Sequence, residues 1–305
     1  MCEDGNLAQP LVYVVMLNWN DLDNTAQSLR SVLALDYDRA RVVVVDNGSV
    51  DGSVTAIRGS FPKIDLIENG QNLGFAGGMN VGIRYGLAHG ADYVLLLNND
   101  VELDCSMLRE LVDFAGAHPL AGLLAPKIYY YHHRSLIWSA GCHFAWFPPR
   151  VKITGMGKRD HPRYDVPRQM PYATGCALLI RRDVLGTVGL FDPIYWPIYN
   201  EDYDYCARVS RSEWRIWYVP TAKMWHKESR SQKGTGTKAF NLGKNTVPFY
   251  LRHCRLGPLS LAAFVAWVAL REVVKGDPAF VRPYLSGVQA GIARHRTKGG
   301  YPSRH

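Results

Sequence analysis

The sequence predicts an α/β fold with a mostly parallel central sheet, flanked by helices, and a helical appendage towards its C-terminal end. Runs of apolar residues at 11–17, 42–45 and 93–97 indicate strands that are buried on both faces. Between the first two runs, residues 22–33 carry apolar side chains at helical spacing. Strands and helices that alternate in this way form parallel sheets with right-handed crossovers.

The remaining elements are predicted from the same two periodicities. Helices are expected at about 53–61, from the glycine-rich stretch 68–80 to about 89, at about 107–118, at about 200–211 and within 256–270. Strands are expected at 64–67, 172–180 and 215–219. Residues 123–169 show no helical period and predict short strands and loops, with a polar, mobile loop at 158–168.

Composition narrows the classes of partner. The chain has 305 residues, of which 47% are hydrophobic, and this is enough to bury a full core. Its formal net charge of +8 suits nucleic acid, anionic lipid or phosphorylated small molecules. The basic residues form no single arm, and no nucleic-acid-binding motif is present. We therefore expect no nucleic acid partner.

Cysteine usage and the N-terminal residues indicate a compartment. The six cysteines are scattered and lack the paired spacing of a zinc site, so reduced thiols in a cytoplasmic protein are expected. The first residues pass directly into a predicted strand, and we expect no signal peptide.

Three predicted strands end in polar residues. Asn18 and Asn20 follow the first, Asp46 follows the second and Asp100 follows the third. Ligands of open α/β sheets bind beyond the carboxyl ends of the strands. A carboxylate there can hold a divalent cation and thereby a diphosphate. An ordinary Asn/Asp turn explains any one of these ends, but three at one edge favour a site.

The glycine-rich stretch supports a nucleotide at that edge. Its glycines, Gly74 to Gly78, let the backbone approach a ligand closely. The stretch matches neither the dinucleotide-binding glycine pattern nor the phosphate loop of NTPases. Asp46 can accept hydrogen bonds from a base or a ribose.

Later residues could complete the chemistry. His226 can be a second metal ligand or a structural hydrogen-bonding residue. Glu201 and Asp202 begin a helix, where carboxylates are also favoured by the helix dipole alone. As a functional pair they could supply a general base for an acceptor hydroxyl. Trp196 or Tyr199 could stack against a sugar ring beside that base.

The C-terminal portion has one strongly apolar segment. Residues 256–270 contain only Ser260 as a polar side chain, and arginine and lysine flank the segment on both sides. The segment is short for a membrane span. It predicts either a helix packed on the main domain or one lying in the membrane interface with basic anchors.

Taken together, these motifs resemble the family-2 glycosyltransferases, and most of all their rhamnosyltransferase-like branch. The residues that carry the resemblance are Asn18-Trp19-Asn20, Val45-Asp46-Asn47-Gly48-Ser49, Asn72-Leu73-Gly74-Phe75-Ala76-Gly77-Gly78-Met79-Asn80, Asn98-Asn99-Asp100, Thr174-Gly175-Cys176 and Asn200-Glu201-Asp202-Tyr203-Asp204. Tyr250-Leu251-Arg252-His253 resembles a stretch that follows the catalytic domain in that branch. Their order and spacing carry the resemblance over residues 11–226.

The resemblance implies a GT-A fold, a nucleotide-diphosphate sugar donor, Mg²⁺ or Mn²⁺, and inversion at the anomeric carbon. It implies a catalytic domain at 1–245, with a nucleotide-sugar half at about 1–125 and an acceptor half at about 126–245. A helical region that could associate with membrane would follow at 246–305. Among donors it favours dTDP-L-rhamnose, with UDP- and GDP-sugars open.

The resemblance also implies roles for individual residues. Asp202 would be the general base with Glu201 supporting it, and Asp100 and His226 would ligate the metal. Position 98–100 holds a single carboxylate, which is usual in that branch. Donor binding is assigned to Asn18, Asn20, Asp46, Asn72, Gly74, Phe75, Gly78, Asn80, Asn99 and Asp100, and acceptor binding to Thr174, Gly175, Trp196 and Tyr199.

The acceptor would be a hydroxyl of a saccharide or of a lipid-linked glycan, and a lipid-linked acceptor fits the basic charge and the apolar segment. In that case the protein would work at the inner face of the cytoplasmic membrane, with peripheral membrane contact. Two other functions stay open: a non-catalytic nucleotide-sugar or glycan-binding protein, and a sugar nucleotidyltransferase. A binder needs no base, and a nucleotidyltransferase normally carries a glycine-rich, basic signature after its first strand.

Overall fold

The computed structural model describes residues 9–146, 149–227 and 235–297, so both ends of the chain lie outside it. Its α-helices are α1 (Leu22–Leu33), α2 (Ser53–Ser60), α3 (Gly74–Ala88), α4 (Met107–Ala117), α5 (Arg182–Thr187), α6 (Glu201–Val209), α7 (Thr235–His253), α8 (Gly257–Val274) and α9 (Val281–Thr297). Its strands are β1 (Val12–Asn18), β2 (Ala40–Asp46), β3 (Asp65–Glu68), β4 (Tyr93–Leu97), β5 (Val101–Leu103), β6 (Ala121–Tyr130), β7 (Leu136–Ser139), β8 (Cys142–Trp146), β9 (Pro149–Ile153), β10 (Lys158–Arg159), β11 (Arg168–Gln169), β12 (Ala177–Arg181) and β13 (Arg215–His226).

The predicted parallel sheet is present in the N-terminal half. Its strands lie in the order β3-β2-β1-β4, all parallel. Along β1, Val14 and Met16 belong to one apolar cluster, whereas Tyr13 and Val15 belong to the cluster on the other face. Both faces are therefore covered, which explains why these strands read as unbroken apolar runs.

The second half adds antiparallel strands to the same sheet. β12 pairs antiparallel with β4 and with β6, and β6 pairs parallel with β13. The strand predicted at 215–219 continues to His226, because the later part of β13 pairs with β5 and β6. β12 begins at Ala177 opposite Leu97, so the residues just before it lie at the carboxyl end of β4.

Helix α3 packs unusually close to the sheet. A Cβ atom built on Gly78 or Gly82 would lie 2.4 Å or 2.2 Å from side chains of β1, namely Leu17 and Val15. These glycines are one helical turn apart on the same face. Their lack of side chains brings the start of α3 up to the strand ends.

The segment predicted as a mobile loop at 158–168 is anchored. Lys127 on β6 is fully buried, and its Nζ donates to Asp160 Oδ1 over 3.1 Å and also to Asp165. A buried ammonium group needs such partners, and they tie the segment to the sheet. The short strands β10 and β11 lie in this segment.

The C-terminal helices form a cluster of their own with the aromatic residues before α6. Ile194 and Tyr195 share this apolar cluster with residues of α7, α8 and α9. The boundaries predicted after residues 125 and 245 fall inside β6 and α7, so the backbone structure continues through both points. The five cysteines in the described part of the chain form no disulfide.

Helix α8 has a largely exposed apolar face. Gly257–Val274 is long and apolar enough to cross a membrane by length and composition, and 22% of it is buried in the protein. The large apolar residues exposed on or beside it are Leu256, Leu259, Leu270, Val273 and Val274.

Candidate functional site

The carboxyl ends of β1 and β2 place Asn18 and Asp46 opposite each other. Asn18 Nδ2 donates to Asp46 Oδ1 over 2.7 Å, and the N–H groups of Gly48 and Ser49 donate to Oδ2 over 3.1 and 2.8 Å. Asn20 supports the same turn, because its N–H donates to Ser49 Oγ over 2.9 Å. A carboxylate has about four acceptor positions, so buried Asp46 keeps some capacity for a ligand.

Asn47, a motif residue to which the sequence assigned no role of its own, connects this turn to the glycine loop (residues 69–75). Its Nδ2 donates to Asn72 Oδ1 and to the carbonyl of Gly74, both over 3.1 Å. Its Oδ1 accepts from Asn69 Nδ2 over 3.0 Å. Asn72 in turn accepts from the N–H of Gly74 over 2.8 Å. The position of Asn47 directly after Asp46 was the available signal for this role.

The glycine loop contacts a second loop, the aromatic loop (residues 195–200). Gly74 has a φ of 73°, and a Cβ atom there would lie 2.7 Å from Trp196 Cδ1. Trp196 Nε1 donates to the carbonyl of Asn72 over 3.3 Å, and the N–H of Phe75 donates to the carbonyl of Pro197 over 2.7 Å. Trp196, assigned to the acceptor from sequence, therefore packs against a loop assigned to the donor.

Two residues that the sequence assigned to donor binding, Asn80 and Gly78, make contacts within the protein. Asn80 is buried, and its amide group exchanges two hydrogen bonds with the backbone of Phe191, at 2.8 and 3.1 Å. Gly78 is the point where α3 approaches Leu17 and Asn47. In this geometry both residues help to position the start of α3 and its neighbours.

Strand pairing brings Asp100 and His226 together. β5 and β13 pair so that His226 lies opposite Val101, next to Asp100. His226 Nε2 lies 3.2 Å from Asp100 Oδ1, and both side chains are buried. Asn99, beside them, donates from Nδ2 to Thr25 Oγ1 over 3.0 Å and so faces α1.

This pair fits a divalent cation as part of a larger ligand set. No group of three or more His, Cys, Asp or Glu side chains in the described part of the chain could hold a metal ion. One carboxylate and one imidazole suit Mn²⁺ or Mg²⁺ when diphosphate oxygens and water complete the shell. His226 Nδ1 is buried and makes no hydrogen bond within the described residues. Burial lowers the pKa of His226, but Cys176 and Asp100 raise it to about 11, so a cation must compete with a proton.

Two backbone N–H groups hold the carboxylate of Asp202. The N–H of Gly175 donates to its Oδ2 over 2.9 Å, and the N–H of Tyr203 donates to its Oδ1 over 2.8 Å. Burial raises the pKa of Asp202 to about 6, and these two hydrogen bonds limit the rise. The residue is half-buried, so it can still meet a ligand.

The segment Thr174–Gly175–Cys176 joins the two parts of the site. The N–H of Gly175 donates a hydrogen bond to Asp202. The adjacent Cys176 raises the pKa of His226, which is the partner of Asp100. A Cβ atom on Gly175 would also lie 3.5 Å from the ring of Phe75 in α3. Thr174, the first residue of the segment, is buried. One short segment thus brings together the glycine-loop side, the Asp100–His226 pair and the carboxylate of Asp202 in α6.

Glu201 differs from its neighbour. It is buried and its Oε2 has no hydrogen-bond partner within the described residues. Burial, and then the charge of Asp202, raise the pKa of Glu201 well above its usual range. The protonated form is therefore favoured more strongly at Glu201 than at Asp202.

The residues before α6 have a strained backbone that a distant residue stabilises. Tyr199 and Asn200 have φ values of 91° and 70°, which residues other than glycine rarely adopt. Asn245 of α7 is buried and donates from Nδ2 to the carbonyls of Tyr195 and Ile198, the latter over 2.8 Å. Nothing in the sequence near residue 245 signalled this contact. Burial, and then Glu201, raise the pKa of Tyr199 to about 12.

Comparisons with known proteins show the family to which this chain belongs. The profile of the family described as Glycosyl transferase family 2 matches residues 13–189. An N-acetylglucosaminyl-diphospho-decaprenol L-rhamnosyltransferase of Mycobacterium tuberculosis (strain CDC 1551 / Oshkosh) is 31% identical over 210 residues, which are 62% of this chain and 67% of that protein. The low-salt glycan biosynthesis hexosyltransferase Agl10 of Haloferax volcanii is 24% identical over 87% of this chain and 86% of its own length.

Solved structures share the fold. The mannosyltransferase PcManGT from Pyrobaculum calidifontis, in complex with GDP-Man and Mn²⁺, has a TM-score of 0.61 at 16% identity, covering 94% of this chain and 88% of that one. GalNAc-T7 with UDP, GalNAc and Mn²⁺ also has a TM-score of 0.61 at 16% identity, covering 84% of this chain and 52% of that one. The GT-A fold expected from the sequence is confirmed.

Proposed function

The chain belongs to glycosyl transferase family 2 and is a glycosyltransferase, and from this premise we propose that it inverts the anomeric carbon of a nucleotide-diphosphate sugar. The observation that carries the proposal is the segment Thr174–Gly175–Cys176. Its Gly175 binds Asp202, whose pKa is raised to about 6, and its Cys176 interacts with His226 of the Asp100–His226 pair.

The proposed reaction is a single displacement. Asp202 accepts the proton of the acceptor hydroxyl as that oxygen bonds to the anomeric carbon. The bond from this carbon to the diphosphate oxygen breaks, and the nucleoside diphosphate leaves with the electron pair. The attacking oxygen and the leaving group lie on opposite faces of the sugar, so the configuration inverts and no enzyme nucleophile is needed.

A Mg²⁺ or Mn²⁺ ion, when bound, would supply charge stabilisation for the leaving diphosphate. Asp100 and His226 would hold the ion, with diphosphate oxygens completing the shell. The solved neighbours contain Mn²⁺, which supports a divalent metal for this fold.

For the donor we propose dTDP-L-rhamnose, with UDP- and GDP-sugars as the alternatives to test. The 31% identical relative is named an L-rhamnosyltransferase. Asp46 and Asn18 would contact the base, and the glycine loop would follow the nucleotide. For the acceptor, the same relative's name supports a glycan linked through diphosphate to a lipid.

The test is release of nucleoside diphosphate from a panel of activated sugars, with Mn²⁺, with Mg²⁺ and with chelator. We expect turnover of one donor that requires the cation and an acceptor glycan. NMR of the product should show the inverted anomer. Turnover that is unaffected by chelator would contradict the metal role, and the absence of binding by every nucleotide sugar would contradict the function.

We also propose peripheral contact of α8 with the inner face of the cytoplasmic membrane. Its exposed apolar face lies between Arg255 and Lys275, an arrangement that suits an anionic bilayer surface. Replacing Leu259 and Leu270 with Glu should abolish sedimentation with vesicles that contain phosphatidylglycerol. Leu120→Glu, at an exposed leucine elsewhere, is the control. Unchanged sedimentation of the double variant would overturn the proposal.

A further inference from the structure

A large groove runs from the start of α6 to α8. Its cavity volume is about 640 Å³, and its inner end is lined by Asn200 and Tyr203, which flank Glu201 and Asp202 in the sequence, whereas these two carboxylates do not line it. Its outer end is formed by Phe264 and Trp267 of α8. The groove therefore connects the surroundings of the candidate base with the helix whose opposite face is apolar and exposed.

The charge of the groove is one-sided. Arg150, Lys152, Lys158 and Arg271 line it, and none of the described residues that line it is acidic. Lys152 and Lys158 are exposed and form no ion pair with a described carboxylate. Arg271 is paired with Glu272, which does not line the groove. Burial, and then the charges of Lys152, Arg168 and Arg150, lower the pKa of His143 in the same groove.

The apolar part of the groove is aromatic, and its rings pack against guanidinium groups and against another ring. The guanidinium groups of Arg150 and Arg271 lie 4.4 and 4.6 Å from the ring centroid of the same indole, Trp267. Phe264 stacks on Tyr250 of α7 with ring centroids 5.0 Å apart. Cations that sit on an aromatic wall suit a ligand with both a phosphate group and an apolar chain.

We propose that this basic groove binds the diphosphate and the first apolar segment of a lipid-linked acceptor, with Arg150, Lys152 and Lys158 contacting the phosphate oxygens. The inference rests on the proposed function, since it supplies the acceptor subsite for that reaction. The sugar would lie at the inner end, beside Asp202. The lipid would leave the groove at α8, towards the membrane.

Binding of geranyl diphosphate tests this assignment without turnover. Binding is followed by calorimetry in saturating nucleoside diphosphate and Mn²⁺, which blocks the donor site. We expect geranyl diphosphate to bind at least about tenfold more tightly than geraniol, inorganic diphosphate or dihexanoylphosphatidylglycerol, because each lacks one part of the match. Equal binding of the phospholipid would overturn the diphosphate assignment, and equal binding of geraniol or inorganic diphosphate would overturn the two-part match.

The variant Lys152→Gln/Lys158→Gln should weaken geranyl diphosphate binding at least about tenfold, because charge-assisted hydrogen bonds are lost. Both lysines are exposed, so folding should be unaffected, and Arg150→Gln is a second test of the same contact. Lys63→Gln/Lys223→Gln makes the same charge change at exposed lysines outside the groove and should bind normally. Unchanged binding by both groove variants would overturn the proposal, whereas failure of every donor to bind would overturn only the proposed reaction.

Discussion

Two aspartates of helix α6, two residues apart, have opposite environments. Asp202 accepts hydrogen bonds from two backbone N–H groups and forms no ion pair within the described residues, and burial raises its pKa to about 6. Asp204 is completely buried but bonds to His253 Nε2 at 2.8 Å and to Arg208 Nε at 2.9 Å. Burial raises the pKa of Asp204, yet these hydrogen bonds and charges lower it to about 2.

The pKa values of these two carboxyls differ because of cationic partners rather than burial, since both are desolvated but only Asp204 contacts His253 and Arg208. Asp204 ties α6 to α7, since His253 and Arg252 both belong to α7 and Tyr195 also donates to it. Asp202 has a neighbouring carboxyl, Glu201, and is only half-buried, so a ligand can reach it. The first environment favours a permanent charge, whereas the second leaves a proton acceptor near neutrality.

The largest expected effect is on activity, from Asp202→Asn. Loss of a general base should lower kcat by about 10²–10⁴-fold while donor binding persists. The variant should be at least as stable as the parent protein at pH 8, because the native protein has to ionise a carboxyl whose pKa is raised. Steady-state kinetics, calorimetric donor binding and thermal unfolding test the three parts. Retention of kcat within threefold would be incompatible with Asp202 as the base.

Asp204→Asn should have the opposite profile. Removing one partner of a buried ion-pair network should lower the free energy of unfolding by about 3–5 kcal/mol, because Arg208 is left without its charge partner. The folded fraction should keep kcat within about threefold, since Asp204 faces away from the reacting groups. Asp36→Asn breaks an exposed ion pair with Arg109 and should cost less than about 1 kcal/mol. Denaturant unfolding compares the two variants, and equal losses would contradict the distinction.

Sequence patterns located the site better than they assigned its members. Asn18, Asp46 and Asp100 were predictable because buried parallel strands place their carboxyl ends at one edge. The carboxylates at 202 and 204 could not be told apart by residue type, since His253, which separates their pKa values, lies 49 residues further along the chain. The support of the aromatic loop by Asn245 depends on helix packing in the same way.

The pH dependence separates the same two groups. The value of kcat/KM should fall about tenfold per pH unit below about 6, because Asp202 must be ionised to accept the proton. Stability from Asp204 should persist to much lower pH: it is fully present above the ordinary aspartate pKa and is lost as the pH falls towards 2. Rates at saturating Mn²⁺ from pH 4 to 9 and unfolding curves from pH 2 to 9 give both profiles. Constant kcat/KM down to pH 5 would exclude Asp202 as the titrating base.

The smallest effect is expected for Glu201→Gln. Burial and the charge of Asp202 raise the pKa of Glu201 well above its usual range, which favours the protonated form, and a neutral amide of the same shape resembles that form. We expect kcat within about threefold of the parent value and the acidic limb of the pH profile unchanged. Glu201→Asp keeps the carboxyl but shortens the side chain, so it separates the effect of shape from that of charge. If Glu201→Gln lost as much activity as Asp202→Asn, Glu201 would have to be ionised during the reaction, and the proton would then be shared between two carboxylates of α6.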